Sequence, residues 1–444
     1  MPELFLAVPE DRGEPAVRVL LQAFQRGVEA ASPHAALAAH FAAGLRGPAL
    51  VLGAGKAAAA MAVAFNEIVG GDARGLVVTR YGHGLRDGES AGSIEVLEAG
   101  HPDPDAASLL AAERLGALAQ SARHGEILWF LVSGGGSALI AAPLPGLSLA
   151  HKRRAATCLM HAGADIREIN TVRRHLSAIK GGRLARRAHP TAVHTLAISD
   201  VPGDALADIA SGPTIPDPTT QAAAMKILER YGCAVEPEVL AVLGEARNES
   251  PKPADPQFAA DSARIIAAAA TALDASEAWL RSRGFEVERL GDDLAAPARE
   301  LGRRHGRLAL EMASSTRPIA MLSGGEATVV VDHPGAAGGR NLEYLCALAQ
   351  VLMGHEQIFA LAADTDGIDG NGDHAGAVVV PELIALGAAQ GLRMEDALER
   401  NSTYEYFSRC KLLLKTGPTR TNVNDFRLII VNPDRTHSQE SSFA

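Results

Sequence analysis

Five short apolar runs in this chain each end in a turn rich in Gly, Ser, Asp or Lys. The strands of a parallel sheet are buried on both faces and read as continuous apolar runs, so each run predicts a buried strand. The runs and their turns are 49–52 with Gly53-Ala-Gly-Lys56, 127–132 with Ser133-Gly-Gly-Gly-Ser137, 193–198 with Ser199-Asp200, 318–322 with Ser323-Gly-Gly-Glu326, and 358–363 with Asp364-Thr-Asp366. Ligands of open α/β sheets bind beyond the carboxyl ends of the strands, so these turns predict the binding face. Their glycines, lysine and carboxylates suit a phosphate-bearing anion and a metal ion.

Helical segments alternate with the strands along the chain, which predicts an α/β fold with a doubly wound parallel sheet. A polar, Pro-rich stretch at 247–259 is the predicted linker, so we expect domains at 1–250 and 251–444. Beyond the linker we expect a second system of β/α layers. Within it, residues 261–284 read mainly as one long helix and 327–333 as a strand.

The net charge restricts the possible partners, and the cysteine content restricts the possible disulfides and metal sites. The chain has 42 basic and 52 acidic residues and a formal net charge of −10, which argues against a nucleic-acid partner. A small anionic ligand needs only local positive charge and stays compatible. Four cysteines without a C-x-x-C pair predict neither a disulfide framework nor a zinc site. No signal peptide or membrane span is recognised, so we expect a cytoplasmic protein without a membrane partner.

The turn Gly53-Ala-Gly-Lys56 resembles a truncated phosphate loop. It lacks the early Gly of the full motif, and Ala57 stands where the metal-binding hydroxyl belongs. The turn still places Lys56 at the predicted N-terminus of a helix, a position that suits anions. A functional lysine and a surface lysine both stay open here.

Two further turns are rich in glycine and lack bulky side chains. Such a turn lets backbone N–H groups approach an anion, although a tight turn that needs glycine for positive φ is the alternative. The Ser-Gly-Gly sequence occurs twice, which indicates paired phosphate turns or a chance recurrence. The candidate residues are Ser133, Gly134, Gly135, Gly136, Ser137, Ser323 and Gly324.

Strand-end carboxylates are the candidates for metal binding. Asp364 and Asp366 follow an apolar strand, and the twelfth position from Asp364 is Ala375, so the loop is not an EF-hand. Mg²⁺ binds through one or two carboxylates plus substrate phosphates, which Asp364, Asp366 and Asp200 offer. A solvated acidic turn is the alternative at 364–373.

Basic residues also stand at helix starts and in one short segment. Arg340 opens a predicted helix, where it could fork onto a carboxylate or phosphate or lie on the surface. In the segment 170–183, a helix would stack Arg173, Ser177 and Lys180 on one face. This face predicts either an anion patch or a solvated surface.

Nine stretches of the sequence together resemble the glycerate 2-kinases of sugar-acid metabolism, which carry a C-terminal MOFRL-type domain. Some members of this family bear the name hydroxypyruvate reductase. The matching stretches keep the order of the family and are Gly53–Ala57, Gly100–Asp105, Ser133–Leu139, Glu168–Ala185, Ile198–Pro216, Leu322–Thr328, Gly338–Glu343, Ala362–Gly376 and Thr416–Asp425.

The resemblance implies ATP-dependent phosphorylation of D-glycerate to 2-phosphoglycerate with a divalent metal. It also implies a larger Rossmann-like N-terminal domain, a smaller α/β C-terminal domain and an active site in the cleft. Lys56 and Arg340 match residues expected to be catalytic or to clamp the substrate. Two residues depart from the expected pattern: Arg420 replaces a Gly and Leu342 replaces a Gln.

The following roles are our hypothesis for phosphoryl transfer, which needs mainly positioning and charge neutralisation. The turn 133–137 cradles the phosphates of ATP, with Lys180, Ser323 and Gly324 also assigned to the nucleotide. Lys56 neutralises charge on the phosphoryl group in transit, and Arg340 anchors the glycerate carboxylate or the γ-phosphate. Mg²⁺ is assigned to Asp200, Asp364 and Asp366, and Asp200 is also the expected proton acceptor.

Three other functional hypotheses stay open. An NAD(P)H-dependent hydroxypyruvate reductase would use Gly53 and Gly55 in a G-x-G-x-x-A fingerprint, with an acidic residue near Asp72. A kinase for another sugar acid or for the 3-hydroxyl is the second reading, and a non-catalytic sugar-acid sensor is the third. A homodimer is left open.

Overall fold

The computed structural model describes residues 15–44, 47–70, 72–333 and 335–432. The described chain divides into two compact units, residues 33–266 and residues 15–32 together with 267–432. We name them the parallel-sheet unit and the mixed-sheet unit. The predicted boundary after residue 250 does not coincide with this division, which falls after Ile266 and joins the first helix to the C-terminal part.

The parallel-sheet unit is built on a six-stranded sheet. Its strands are β1 (Ala49–Ala54), β2 (Ala73–Arg80), β3 (Ser93–Ala99), β4 (Ile127–Val132), β5 (Val193–Ile198) and β6 (Ser262–Ala267). The strand order is β3-β2-β1-β4-β5-β6, and the first five strands pair in parallel. The order reverses between β1 and β4, which is the topological switch point of a doubly wound sheet. The predicted doubly wound, mostly parallel sheet is confirmed.

Nine α-helices of the described chain belong to this unit, and several of them cover the two faces of the sheet. They are α2 (Pro33–His40), α3 (Ala58–Val69), α4 (Ala106–Gln120), α5 (Gly136–Leu139), α6 (Leu149–His161), α7 (Ile166–His175), α8 (Arg183–Ala188), α9 (Gln221–Arg230) and α10 (Pro237–Gly244). Phe130 packs in a core with Leu115 of α4 and Leu184 of α8. The neighbouring Trp129 points to the other face, where its ring centroid lies 5.0 Å from that of Phe41. Because successive strand residues face opposite sides, an apolar run buried on both faces is the expected result.

The mixed-sheet unit has a second six-stranded sheet. Its strands are β7 (Glu286–Gly291), β8 (Ile319–Gly325), β9 (Ile358–Asp364), β10 (Gly376–Val379), β11 (Leu413–Leu414) and β12 (Asp425–Val431), in the order β11-β10-β9-β12-β8-β7. Only β7 and β8 pair in parallel. The expectation that apolar runs mark parallel strands therefore does not hold in this unit. Since β8 and β9 both run antiparallel to β12, their carboxyl ends still lie at one edge, where β12 begins.

Seven helices of the described chain complete the mixed-sheet unit. They are α1 (Pro15–Ala30), α11 (Ala269–Ser282), α12 (Ala298–Met312), α13 (Arg340–Leu352), α14 (Leu383–Ala389), α15 (Met394–Glu399) and α16 (Thr403–Arg409). The helix α1 packs here because its Phe24 ring lies 5.5 Å from the ring of Phe426, and Ser276 Oγ donates to Ala23 O at 2.8 Å.

Three local predictions were wrong. The expected long helix at 261–284 begins instead with strand β6, because the run around Ile265 and Ile266 favours a strand. The expected strand 327–333 forms only an isolated bridge at Thr328, and Val330 is exposed. The expected linker packs inside the parallel-sheet unit, where buried Ser250 donates to Asp217 Oδ2 at 3.3 Å.

The cysteine prediction was also wrong in part. Cys158 of α6 forms a disulfide with Cys233, and their Cα atoms lie 5.8 Å apart. The sequence carries no local sign of this pair because 75 positions separate the two residues. Cys346 and Cys410 are buried thiols, which fits small apolar residues. Within the described chain, no helix is both long and apolar enough to cross a membrane.

Candidate active site

One predicted lysine, one glycine-rich turn and one predicted aspartate meet at the switch point of the parallel sheet. Lys56 follows β1, the glycine-rich turn follows β4, and Asp200 follows β5. The backbone N–H of Lys56 donates to Gly134 O at 2.8 Å. A methyl group at Gly134 would lie 1.6 Å from Asp200 Oδ2, so the carboxylate rests directly against this glycine. The sequence-predicted grouping of these turns at one edge therefore holds.

The backbone after β1 does not form a phosphate loop. The N–H of Gly55 donates to Val78 O at 3.0 Å, that of Ala57 to Ser133 Oγ at 2.9 Å, and that of Ala58 to Gly55 O at 3.1 Å. With the Lys56 N–H also bonded, four successive donors are committed within the protein. Any contact of this turn with a phosphate therefore comes from the Lys56 side chain. The buried Ser133 hydroxyl holds the turn, and its contact with a nucleotide stays a prediction.

The geometry does not complete a dinucleotide fingerprint either. Asp72 precedes β2, and its carbonyl accepts the N–H of Ala49 at the start of β1. It therefore lies at the amino ends of the strands, on the edge of the sheet opposite to Lys56. The fingerprint needs its acidic residue at the carboxyl edge, where it can reach a ribose hydroxyl.

The turn after β4 offers donors to an anion. The N–H groups of residues 134–137 make no hydrogen bond to any other residue that the structure describes. Gly135 has φ 80°, in the left-handed region that favours glycine. A methyl group there would lie 3.0 Å from the His101 ring and 3.3 Å from Lys56 Cγ. His101, which follows β3, is thus beside the turn, although an isolated His carries no functional signal in the sequence.

A cavity of about 500 Å³ opens beside this turn within the parallel-sheet unit. Gly135 and Ser137 line it together with basic side chains from three segments of the chain: Lys152 and Arg153 of α6, Arg173 of α7, and Lys180. Lys180 Nζ donates to Ser137 O and Ser137 Oγ, both at 2.5 Å. Burial, with nearby Lys152 and Arg173, lowers the pKa of Lys180 well below its ordinary value.

The segment 170–183 is not one helix, contrary to expectation. The helix α7 ends at His175 and α8 begins at Arg183. The buried Ser177 hydroxyl donates to Ala142 O at 3.2 Å and serves the fold. Arg173 and Lys180 nevertheless line the same cavity, so the two basic residues come together from separate elements. Lys152 was missed because nothing distinguishes it from its basic neighbours in the sequence HKRR.

Arg340 organises the second cluster, at the edge of the mixed sheet. Its Nη2 donates to Asp364 Oδ2 at 2.5 Å and its Nε to Asp425 Oδ1 at 2.7 Å. Asp364 and Asp425 are register partners at the end of β9 and the start of β12. Burial opposes the charge of Arg340, but the two carboxylates outweigh it and raise its pKa. Burial likewise opposes the charge of Asp425, and Arg427 and Arg340 outweigh it and lower its pKa.

The start of helix α13 is fixed by Asp369, which sequence reasoning did not select. Its carboxylate accepts the backbone N–H groups of Asn341 and Leu342, each at 3.2 Å from Oδ2. Burial, and then the Asp425 carboxylate, raise the pKa of Asp369 to about 7. Leu342, one of the two departures from the family pattern, is buried in the core. Arg420, the other, has φ 65°, in the left-handed region that favours glycine.

The candidate metal ligands lie at two places. Asp366 donates its N–H to Asp364 Oδ1 at 3.0 Å, and its Oδ1 accepts the N–H of Ile368 at 2.9 Å. Asp200 lies in the parallel-sheet unit. Among the residues that the structure describes, no group of three or more His, Cys, Asp or Glu could hold a metal by itself.

Ser323 and Gly324 lie inside β8, not in a turn after it. Gly324 O accepts from Arg427 Nη1 at 3.0 Å. Their assignment to the nucleotide stays a prediction, with this backbone paired to β12.

Comparison with known proteins decides the family. Residues 19–244 match a family model described as domain of unknown function DUF4147, and residues 319–425 match the MOFRL family. D-glycerate 2-kinase of Thermotoga maritima is 38% identical over 384 residues, 85% of this chain and 89% of that protein. The chain belongs to the glycerate kinase family.

Other members of this family differ in name and agree in fold. An Agrobacterium vitis protein named as a hydroxypyruvate reductase is 43% identical over 422 residues, 94% of each chain. The crystal structure of glycerate kinase from Thermotoga maritima superimposes with a TM-score of 0.84 at 35% identity, covering 93% of this chain and 99% of that one. The predicted family, fold class and enzyme class, a phosphotransferase with an alcohol acceptor, are confirmed.

Proposed function

We propose that this chain transfers the γ-phosphoryl group of ATP to the 2-hydroxyl of D-glycerate in the presence of Mg²⁺ and yields 2-phosphoglycerate. The observation that carries the proposal is the set of donors at the switch point, where Lys56, the unbonded N–H groups of 134–137 and a cavity lined by basic residues adjoin. Both substrates are anions. The names of the relatives, D-glycerate 2-kinase and glycerate kinase, support the choice of acceptor.

The residues of the parallel-sheet unit suit binding of the phosphoryl donor and removal of the proton from the acceptor hydroxyl. Four N–H donors at 134–137 and the Lys180 ammonium match the oxygens of a phosphate chain. Lys56 lies beside Gly135 and neutralises charge on the phosphoryl group, and Asp200, held against Gly134, accepts the proton of the attacking hydroxyl. When bound, ATP supplies the phosphoryl group and Mg²⁺ neutralises phosphate charge.

The residues of the mixed-sheet unit suit an anion clamp. Arg340 uses Nε and Nη2 on Asp425 and Asp364, while Nη1 makes only a 3.4 Å contact with the half-exposed Glu326. The two short bonds orient the guanidinium, and Nη1 is the nitrogen that meets the glycerate carboxylate or the γ-phosphate. Fixed donors of this kind stabilise charge without reorganisation during the reaction.

The donor chemistry of Asp364 and Asp366 fits Mg²⁺. Two carboxylates spaced D-x-D at a strand end would hold the ion together with phosphate oxygens and water, so a cluster of three protein carboxylates is not required. Asp200 of the parallel-sheet unit is the third candidate ligand.

The test is turnover of ATP with D-glycerate by the purified chain, with and without EDTA. A parallel sample receives hydroxypyruvate and NADH. We expect ADP formation that depends on glycerate and on Mg²⁺, and no oxidation of NADH. NADH oxidation without phosphoryl transfer would overturn the proposal in favour of a reductase. Turnover with another sugar acid but not with D-glycerate would show that the acceptor is a different sugar acid.

A further inference from the structure

The 500 Å³ cavity of the parallel-sheet unit contains cations without matching carboxylates. Lys152 Nζ is buried and has no hydrogen-bond partner among the described residues. Lys180 is only 3% exposed, and its ammonium is bonded to the neutral Ser137. Arg173 is the third cation of the group, whereas Arg153, the fourth basic residue of the lining, is exposed. Asp103 is the single carboxylate among the described lining residues.

An unpaired ammonium buried in a protein is costly unless something compensates its charge. An unpaired cation in a core position would be replaced at little cost by an apolar side chain. Here the three cations instead line a cavity that a ligand can enter. Their position beside Gly135 and Ser137, whose N–H groups are also unbonded, gives that ligand further donors.

We propose that Lys152, Arg173 and Lys180 form a polyphosphate subsite that binds the phosphate chain of the nucleotide. This inference rests on the proposed function and assigns one of its two substrates to a specific cavity. A glycerate carboxylate would match one cation and leave two unpaired. A phosphate chain carries several negative oxygens and matches all three, and charge-assisted bonds to such oxygens are strong.

Part of the remaining wall of the cavity is apolar and includes Leu149, Ala156 and Met160. An apolar wall next to a few fixed polar groups is typical of a small-molecule site, and a volume of this size can hold a nucleotide. The uncharged part of the nucleotide therefore has a complementary surface beside the cations, which a three-carbon acid would not fill.

Binding at this subsite is linked to protonation. Burial, and then Arg183 and Arg173, lower the pKa of Lys152 to about 7. The other titratable groups that line the cavity are Lys180, Arg153, Asp103 and His101. An anion beside Lys152 favours its charged form, so binding above about pH 7 takes up a proton. The affinity should therefore fall as pH rises above 7, by up to about tenfold per pH unit for one linked proton.

The experiment measures binding of inorganic tripolyphosphate, ADP and 2-phosphoglycerate by calorimetry, for the wild type, Lys152→Met and the control Lys226→Met. Lys226 is an exposed residue of α9 in the same unit. Calorimetry in two buffers of different ionisation enthalpy reports proton uptake. We expect Lys152→Met to weaken tripolyphosphate and ADP about 10- to 100-fold and to abolish part of the proton uptake. Lys226→Met should change neither.

Kinetics and stability supply independent readouts. Lys152→Met should raise KM for ATP and leave KM for D-glycerate near its wild-type value. The Tm of the ligand-free variant should stay equal or rise, since a buried unpaired charge is removed. A large fall in Tm would make Lys152 a structural residue and overturn the inference.

Two other outcomes also overturn the inference. One is unchanged affinity for tripolyphosphate, and the other is a loss confined to 2-phosphoglycerate and to KM for glycerate, which would make the cavity the acceptor site. A failure of the proposed function would give a different experimental result from a failure of this inference. In that case the wild type transfers no phosphoryl group to glycerate, while its binding of tripolyphosphate still depends on Lys152.

Discussion

A methyl group on Gly134 tests whether catalysis depends on the position of Asp200. In Gly134→Ala, the new Cβ would lie 1.6 Å from Asp200 Oδ2 and 2.3 Å from its Cγ. Ordinary contact needs about 3.5 Å, so the carboxylate must retreat by roughly 2 Å. The backbone at Gly134 lies outside the left-handed region, so alanine adds no strain of its own.

The expected loss follows from this displacement. A misplacement of about 1 Å at a reacting group can cost on the order of 100-fold in rate, so we expect kcat to fall by at least about 100-fold. The Tm is measured in parallel, so that a loss of activity is separated from a loss of the fold. The assay is steady-state formation of ADP at saturating D-glycerate and ATP. Gly244→Ala on α10 is the control, because its methyl group meets nothing within 4 Å.

A double variant decides whether the loss acts through Asp200. If Gly134→Ala acts only by moving this carboxylate, it should cost nothing further in the Asp200→Asn background. A kcat of Gly134→Ala within about threefold of the wild type would refute the reasoning, as would losses that multiply in the double variant.

Three further predictions concern the clusters around Lys56, Arg340 and Asp369. Lys56→Ala should lower kcat by about 10³-fold, since one charge clamp on the phosphoryl group is lost, and near-wild-type steady-state kinetics would contradict this. Arg340→Lys cannot fork onto Asp364 and Asp425, so chemical denaturation should show a loss of about 3 kcal/mol. The raised pKa of Asp369, about 7, means that the folded chain keeps a proton that the unfolded chain releases above about pH 4. Its stabilising contribution is full below about pH 4 and is lost as pH rises through 7, so Asp369→Asn should flatten that fall in Tm. An unchanged pH profile would argue against a raised pKa at Asp369.

The sequence predicted, for a physical reason, that three candidate segments of the parallel-sheet unit would share one edge of the sheet. Lys56, the turn at 133–137 and Asp200 each follow an apolar run, and the carboxyl ends of parallel strands share one edge. Residues far apart in the chain thus become neighbours without any knowledge of their side-chain contacts. The same reasoning reached Asp364 because β9 happens to end at the same edge as β8.

The remaining features of the fold and of the candidate site depend on strand pairing and side-chain contacts that local sequence patterns do not encode. Asp425 opens β12, a strand interrupted by Arg427, and a charged residue within an apolar run obscures a buried strand. In the structure Arg427 is buried because it is bonded to Asp425 and to Gly324 O. Lys152 is one of several basic residues on α6, and only the packing of that helix shows which ammonium faces the cavity. The disulfide of Cys158 likewise has no local signal.

The most direct measurement of the central claim is proton-coupled ³¹P NMR of the product formed from D-glycerate, ATP and Mg²⁺. Phosphorus on the 2-hydroxyl couples to one carbon-bound proton and gives a doublet, whereas phosphorus on the 3-hydroxyl couples to two protons and gives a triplet. We predict a doublet that grows with time and is strongly reduced in Lys56→Ala. A triplet would contradict the 2-hydroxyl as the acceptor, and the absence of any phosphate-ester signal would contradict glycerate phosphorylation itself.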